Sequence, residues 1–420
     1  MVAALTPIKA SILGLVLLIL TTQWCFRGRP ILDWQVSFWM IGLSFVGFFF
    51  VLEGLAKGTP GAAAVTTIYI IWPLAFSVWA AGLAYDHMFR KIEWTAIVAT
   101  IFIGVYGCGY ILTQLNILPY GDLFSTLSLG WSEQGFGAYE GYTQIAIAGM
   151  NSLPFLLPLV MASIAIEDPI ENRSIPNRIG LWTALAFGGA LVFASGRRAL
   201  MLAAILSPLL TWAFRSFQPS ADKERNRRSL FKLVLILSIF AILFCIGFAS
   251  VYQFDPASLW ERFSSGFDLG SQTQDESAIA RHEQLIALFR AWLENPMLGA
   301  GHGASALGSI RSEDMPWAYE LTYMSLLFQT GIVGFAAYAG GVLWIFYEGI
   351  KIIKEGGRLS RIMLPMLVGL ANLIIANATN PYLLKFDGMW MLFLPIAVVN
   401  YRLVSRRVEH TSSYRQAIST

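Results

Sequence analysis

The chain alternates long apolar runs with short polar breaks. A helix needs about 20 apolar residues to cross a bilayer. Runs near that length lie at 8–24, 35–54, 62–84, 94–114, 148–166, 179–195, 199–214, 230–250, 321–346, 362–380 and 388–401. They predict an all-α integral membrane protein of about 11 spans, in the range 10–12. The first run has one basic residue ahead of its centre, Lys9, and the bulky stretch Gln23-Trp24-Cys25-Phe26 after it. It therefore reads as a span rather than a cleaved leader. A further half-buried segment near 136–149 would change the count. Four stretches result: N-terminal spans in 1–114, central spans with a first outer loop in 115–250, a large outer loop at 251–320, and C-terminal spans with a tail in 321–420.

Charge between the runs sets the orientation. The 215–232 segment holds Arg215, Lys223, Arg225, Arg227, Arg228 and Lys232 against Asp222 and Glu224. By the positive-inside rule it is cytoplasmic. The same holds for the 347–361 loop, with Lys351, Lys354, Arg358 and Arg361, and for the tail, with Arg402, Arg406, Arg407 and Arg415. The loops between them then face outward. Residues 115–147 carry Asp122, Glu133 and Glu140 and no Lys or Arg, and residues 251–320 carry ten acidic and four basic side chains. The chain is expected to start outside and end inside.

Composition narrows the class. Of 420 residues, 56% are hydrophobic and 13% charged, with a mean hydropathy of +0.59. Soluble globular chains carry about 25% charged residues, so a soluble enzyme and a disordered chain are both excluded. A net charge of +3 is too small to argue for nucleic acid. The 14 Trp suit aromatic belts at the two membrane faces. Cys25, Cys108 and Cys245 lie in or beside apolar runs and give neither a disulfide framework nor metal-ligand spacing.

The large loop has structure of its own. Thr273-Gln-Asp-Glu276 fits a capping box. A helix would follow through Arg281 and Phe289 and stop before Pro296, because the residue preceding proline avoids the α region. Ile279, Leu285, Ile286, Phe289 and Leu293 share one face, which suits a helix lying on the membrane interface. Next comes Pro296-Met-Leu-Gly-Ala-Gly-His-Gly303, whose alternate glycines Gly299, Gly301 and Gly303 would let the backbone approach a ligand closely.

Several polar residues are candidates for chemistry. Ser195-Gly-Arg-Arg198 lies between two runs at the outer face. Arg197 and Arg198 there run against the positive-inside bias. They either snorkel to lipid phosphates or form an anion site, since a guanidinium binds phosphate bidentately and stays charged. Arg281 lies on the loop helix, and Arg290, nine residues on, falls roughly on its opposite face. Glu320 opens the ninth run between Tyr319 and Tyr323. It acts either as a base or as a first-turn charge complementing the helix N-terminus. His302 is a lone histidine in the glycine-rich loop, and Lys385 and Asp387 lie in a short outer loop. The sequence has no Asp-x-Asp pattern of metal-dependent sugar-nucleotide transferases and no phosphate-binding P-loop.

In their order, these motifs resemble the O-antigen polymerase/ligase superfamily (Wzy- and WaaL-like) of bacterial envelope glycan transferases. Ser195-Gly-Arg-Arg-Ala199 is similar to its Ser-Arg-Gly/Ala element. Arg281 through Pro296-Met-Leu-Gly-Ala-Gly301 is similar to its Arg helix followed by Pro-Leu-Leu-Gly-x-Gly. Glu320 through Gly331-Ile-Val-Gly334 is similar to its helix ending in Gly-Ile-Ile-Gly. The likeness covers roughly residues 180–400. Ligases of the family carry a His eleven residues before that glycine. Glu320 stands there in this chain, which favours the polymerase branch.

The resemblance implies a multi-pass enzyme of the bacterial inner membrane with its site facing the periplasm. It would polymerise undecaprenyl-diphosphate-linked repeat units without a metal or other cofactor. Arg198, Arg281 and Glu320 would be catalytic, with Arg197, Arg290, Gly299, Gly301, His302, Tyr319 and Tyr323 binding substrate. Its partners would be the lipid-linked glycan donor and acceptor, membrane lipid, and as a candidate a chain-length regulator. The competing readings are an O-antigen ligase acting on lipid A–core, a lipid-linked glycan flippase or transporter, and a peptidoglycan polymerase of the shape-and-division type.

Overall fold

A computed structural model describes residues 6–27, 32–118, 135–139, 142–147, 149–166, 175–220, 276–308 and 313–419. The helices are α1 (Thr6–Arg27), α2 (Trp34–Ala56), α3 (Ala62–Thr66), α4 (Trp72–Leu83), α5 (Asp86–Gln114), α6 (Leu153–Ala165), α7 (Ile175–Ala194), α8 (Arg198–Arg215), α9 (Glu276–Glu294), α10 (Thr322–Glu355), α11 (Gly357–Asn377) and α12 (Phe386–Ser419). Two strands, β1 (Gly135–Tyr139) and β2 (Tyr142–Ala146), form an antiparallel hairpin. Beyond this ten-residue hairpin the regular structure is helical, in keeping with the expected all-α membrane protein. The segment near 136–149 is not a further span, because its glycine-rich, alternating stretch pairs with itself.

Among the described residues, seven helical stretches are long and apolar enough to cross a membrane: Trp34–Ala56, Ala62–Leu83, Asp86–Gln114, Arg198–Arg215, Thr322–Glu355, Gly357–Asn377 and Gly388–Val408. The apolar helices Met150–Ala165 and Arg178–Ala194 are shorter. The expected run at 230–250, the Thr273 cap and the loop residues 251–275 lie outside the described residues. The third run is a helix with a change of pitch. Thr67–Ile71 forms a π turn between α3 and α4. Pro73 has no N–H to offer the carbonyl of Tyr69 four residues back, so the α pattern cannot run through.

The chain divides into two compact units, the first Met1–Ile8, Arg90–Ala278 and Ile353–Ala376, the second Lys9–Phe89, Ile279–Ile352 and Asn377–Thr420. In the first, α6 packs against α7 and α8. Asn372 of α11 is fully buried and donates to Ser207 of α8 at 3.3 Å and to its own helix at Val368. Gly369 lies against Phe155, and an added Cβ would meet the Phe155 carbonyl at 2.8 Å. In the second unit, α4 packs on α12, with Phe76 stacked on Phe393.

The second unit is pinned by charge at one end. Asp33 caps α2 by accepting from Gln35 N, takes its own N–H to Asn400 Oδ1 and pairs with Arg407 at 2.6 Å. Glu348 near the end of α10 pairs with Arg402 at 2.9 Å and Lys351 at 2.8 Å. Two of the basic residues read as tail charges, Arg402 and Arg407, are thus helix-anchoring ion pairs.

Candidate functional site

In the first unit, the Ser195–Arg198 corner is built by backbone. Ser195 is buried, and its hydroxyl donates back to Val192 O, closing α7. Gly196 turns the chain at φ +61°, and Arg197 is extended ahead of α8. The hairpin seats against this corner at Ile145. Ile145 N donates to Ser195 O at 3.2 Å, and Arg197 Nε donates to Ile145 O at 2.7 Å. Arg197 therefore already has a structural partner. Arg198 is the first residue of α8, half-buried, with its Nε and Nη1 shielded from water. A cation at a helix N-terminus adds to the positive end of the dipole instead of neutralising it. The corner is thus electrostatically suited to an anion.

In the second unit, α9 brings Arg281 to Glu320. Arg281 Nε and Glu320 Oε2 are 2.8 Å apart, with side chains 26% and 23% exposed. This is neither a free surface pair nor a fully buried one. Water still reaches both groups. The pair is registered by Gln284, one turn along α9 and 5% exposed. Its Oε1 accepts from Glu320 N at 2.9 Å and from Leu321 N at 3.1 Å. Two N–H groups at the entry to α10 are satisfied in this way. The sequence reading passed over Gln284, although its i+3 spacing from Arg281 was visible. Arg290 is exposed on another side of α9.

Tyr319 and Tyr323 flank Glu320 differently. Tyr319 is 1% exposed, packs with Leu288, Ala304, Ala306 and Phe328, and accepts from Ala306 N at 2.6 Å. Burial raises its hydroxyl above the usual range, against a smaller lowering by that hydrogen bond. Tyr323 is half-buried and hydrogen-bonds the Asn377 side chain, whose Oδ1 also accepts from Leu383 N.

The glycine-rich loop approaches backbone closely. Helix α10 is broken at Gly331, where φ is +60° and ψ −171°. Such a conformation is essentially confined to glycine. Loop groups satisfy the hydrogen bonds lost at the break. Ala300 N donates to Phe328 O and Gly301 N to Gln329 O, while Ile332 N and Val333 N donate to Pro296 O and Met297 O. An added Cβ at Gly299 would meet the Gln329 backbone at 2.6 Å, and at Gly301 the Gly54 backbone at 2.5 Å. These glycines are spent on the joint between the loop and α2 and α10. Lys57 at the end of α2 reinforces it, donating to Gly299 O at 3.0 Å and Glu53 Oε1 at 2.7 Å.

His302 lies inside this joint, fully buried. Its ring stacks on Tyr69 of the π turn with centroids 3.6 Å apart. Its Nδ1 is 3.2 Å from Gln329 Oε1 and its Nε2 3.0 Å from the Tyr338 hydroxyl. Gln329 Nε2 donates to Ala304 O, so Oε1 is the acceptor facing the ring. Nδ1 then holds the proton and Nε2 accepts from Tyr338. Burial lowers the imidazole to about 3, against a smaller upward pull from Gln329. It is neutral at physiological pH, with both nitrogens engaged by protein. Tyr69, Gln329 and Tyr338 were not singled out from sequence; the available signal was polar side chains within apolar runs.

Side chains of Asp387 and of residues 251–275 lie outside the described residues, and Lys385 is exposed. Among the described residues, no group of three or more His, Cys, Asp or Glu is arranged to hold a metal ion.

The fold and these residues define a multi-helix membrane protein with an arginine corner in one unit and an Arg–Glu pair held by α9 in the other. Residues 183–339 match the family described as O-antigen ligase, and the match takes in both features. It supports the O-antigen polymerase/ligase superfamily, a class of membrane enzymes that transfer glycans. A comparison with curated proteins gives no match.

Proposed function

We propose that the chain polymerises undecaprenyl-diphosphate-linked repeat units at the periplasmic face of the inner membrane, without a metal. The observation that carries this reading is the Arg281–Glu320 pair at 2.8 Å inside the matched region. A polymerase must do two things at once. It must remove a proton from an acceptor sugar hydroxyl and stabilise the charge left on the departing diphosphate.

Glu320 takes the hydroxyl proton. The freed oxygen attacks the anomeric carbon of the donor, the bond from that carbon to the phosphate oxygen breaks, and its electron pair leaves with the diphosphate. Arg281 binds that diphosphate, and the family resemblance names Arg198 as a second catalytic arginine. Arg281 would exchange Glu320 for phosphate as the donor enters, which frees the carboxylate for the acceptor. Arg197 supports the corner through Ile145, and its remaining guanidinium nitrogens are candidates for phosphate. Tyr323 is the candidate acceptor contact one turn into α10. His302, Gly299, Gly301 and Tyr319 shape the site from behind.

The description of the matched family favours a second reading, transfer of the glycan to lipid A–core. One experiment addresses both. Arg198→Ala, Arg281→Ala and Glu320→Gln proteins are reconstituted with lipid-linked repeats alone and with lipid A–core added. A ladder of lengthened lipid-linked glycan, lost in the three variants, is the expected result. Transfer to lipid A–core with no ladder would replace the polymerase reading by the ligase. Wild-type ladders in all three variants would overturn the site.

A further inference from the structure

Helix α9 has three faces with three different environments. One packs on protein: Gln284 and Leu288 are buried, and Ala291 packs against the cluster around Tyr319. A second carries the exposed charges Glu283, Arg290 and Glu294. The third carries Ile279, Leu285, Ile286, Phe289 and Leu293, each between 38% and 56% exposed. His282 is the one polar residue of 279–294 within that third face.

The apolar face is continuous with the surface of a membrane-spanning helix. Hydrogen bonds from Ile332 N to Pro296 O and from Val333 N to Met297 O lay the loop after α9 along α10. Met297 and Leu298, 56% and 39% exposed, therefore adjoin Ile332 and Val333, 47% and 48% exposed. Ile332 and Val333 belong to Thr322–Glu355, a stretch long and apolar enough to span the bilayer. Large exposed apolar side chains on a span face lipid. The band they begin leads through Met297 and Leu298 to the apolar face of α9, in which His282 is the one polar side chain.

We infer that α9 lies in the membrane surface, its apolar face immersed among the acyl chains of bilayer lipids and its Glu283–Arg290–Glu294 face in water. This is how an amphipathic helix with one charged and one apolar side settles at an interface. The chemistry of the occupant follows from the band. It must be apolar, fluid and continuous with whatever surrounds α10, and bilayer lipid is all three. Arg281 lies one turn from Leu285, at the border between the protein-packed and lipid-facing sides. If the proposed function holds, a lipid-linked diphosphate would reach Arg281 sideways from the bilayer.

The test does not depend on catalysis, so its failure and that of the proposed function are separable. Full-length protein carrying Cys25→Ala, Cys108→Ala and Cys245→Ala is reconstituted in phosphatidylcholine vesicles. Single cysteines are added at the apolar face (Leu285→Cys, Phe289→Cys, Leu293→Cys) or the charged face (Glu283→Cys, Arg290→Cys, Glu294→Cys) and spin-labelled. Collision rates are measured with oxygen, which concentrates in lipid, and with a water-soluble nickel chelate. The expected ratio of oxygen to nickel collisions is at least about fivefold higher on the apolar face, following the helical period. Equal nickel access on both faces would place α9 in water. Protection of the apolar face from both probes would mean that a second copy or another protein covers it. Either result overturns the inference. Six positions on one helix guard against the misfolding of any single variant.

Discussion

Acid should loosen the joint that holds the glycine-rich loop, and His302 sets the size of the effect. In the unfolded chain the imidazole titrates at its ordinary value of 6.5, and in the folded chain burial holds it down to about 3. Between those values the unfolded chain holds one proton more than the folded one. Stability therefore rises with pH through that window and falls as pH drops below 6.5. The full slope is about 1.4 kcal/mol per pH unit. Moving from pH 7.5 to pH 5 should cost about 2 kcal/mol, most of it below pH 6. The assay is equilibrium unfolding in mixed micelles at several pH values, for wild type and His302→Phe. The variant loses the hydrogen bonds to Gln329 and Tyr338, so it is weaker at every pH. The informative quantity is the difference in slope, which other titrating groups leave unchanged. Equal slopes in the two proteins would refute a buried neutral imidazole as the core of the joint.

Two further predictions concern the helix ends that frame Glu320. Gln284→Leu removes the acceptor for Glu320 N and Leu321 N. Leaving two half-shielded donors unpaired costs about 2 kcal/mol, or about 30-fold in kcat if the proposed chemistry needs that placement. Gln284→Glu keeps an acceptor oxygen at the same reach and should recover most of the rate, in a ladder assay that separates kcat from KM. A Leu variant with full kcat, or a Glu variant as poor as Leu, would remove Gln284 from the positioning of Glu320. Gly331→Ala should cost about 3 kcal/mol or more, since its Cβ would collide with the Met297 carbonyl. Gly340→Ala in the same helix meets nothing closer than the Trp39 ring at 3.6 Å and should leave thermal unfolding within a few degrees of wild type.

The helices were legible because burial in lipid demands long apolar runs, and seven such stretches stand where runs were read. Their irregularities were not. The break at Gly331 packs against Met297, and the π turn imposed at Pro73 is accommodated by the bare Cα of Gly47, where a Cβ would meet the Tyr69 carbonyl. A hydropathy window averages across both. The hairpin was hidden for the opposite reason, since a short glycine-rich strand pair carries little apolar signal. Arg281 and Glu320 were both singled out from their setting, yet their pairing across 39 positions was beyond any local pattern. Gln284 was hidden by its ordinariness, because a glutamine on an amphipathic helix announces nothing until the N–H groups it caps are known.

The glycine motifs acquire a different meaning from the one their spacing suggested. Pro296–Gly301 and Gly331–Gly334 are far apart in sequence, and each alone is a weak pattern. The structure makes them two sides of one joint, in which a broken helix gives up four backbone groups and a loop supplies their partners. That joint fixes the segment after α9 to the first third of α10. Gln284 fixes an earlier turn of α9 to the start of α10, about 14 Å away along the helix. Two segments held at two separated points cannot slide or pivot past one another. Arg281 extends from one segment and Glu320 from the other. Their 2.8 Å contact is therefore set by the backbone on both sides, as the proposed function would require of a cation and a base held in register. Loosening the joint with acid or with Gly331→Ala should then disturb Glu320 chemistry without touching either charged residue.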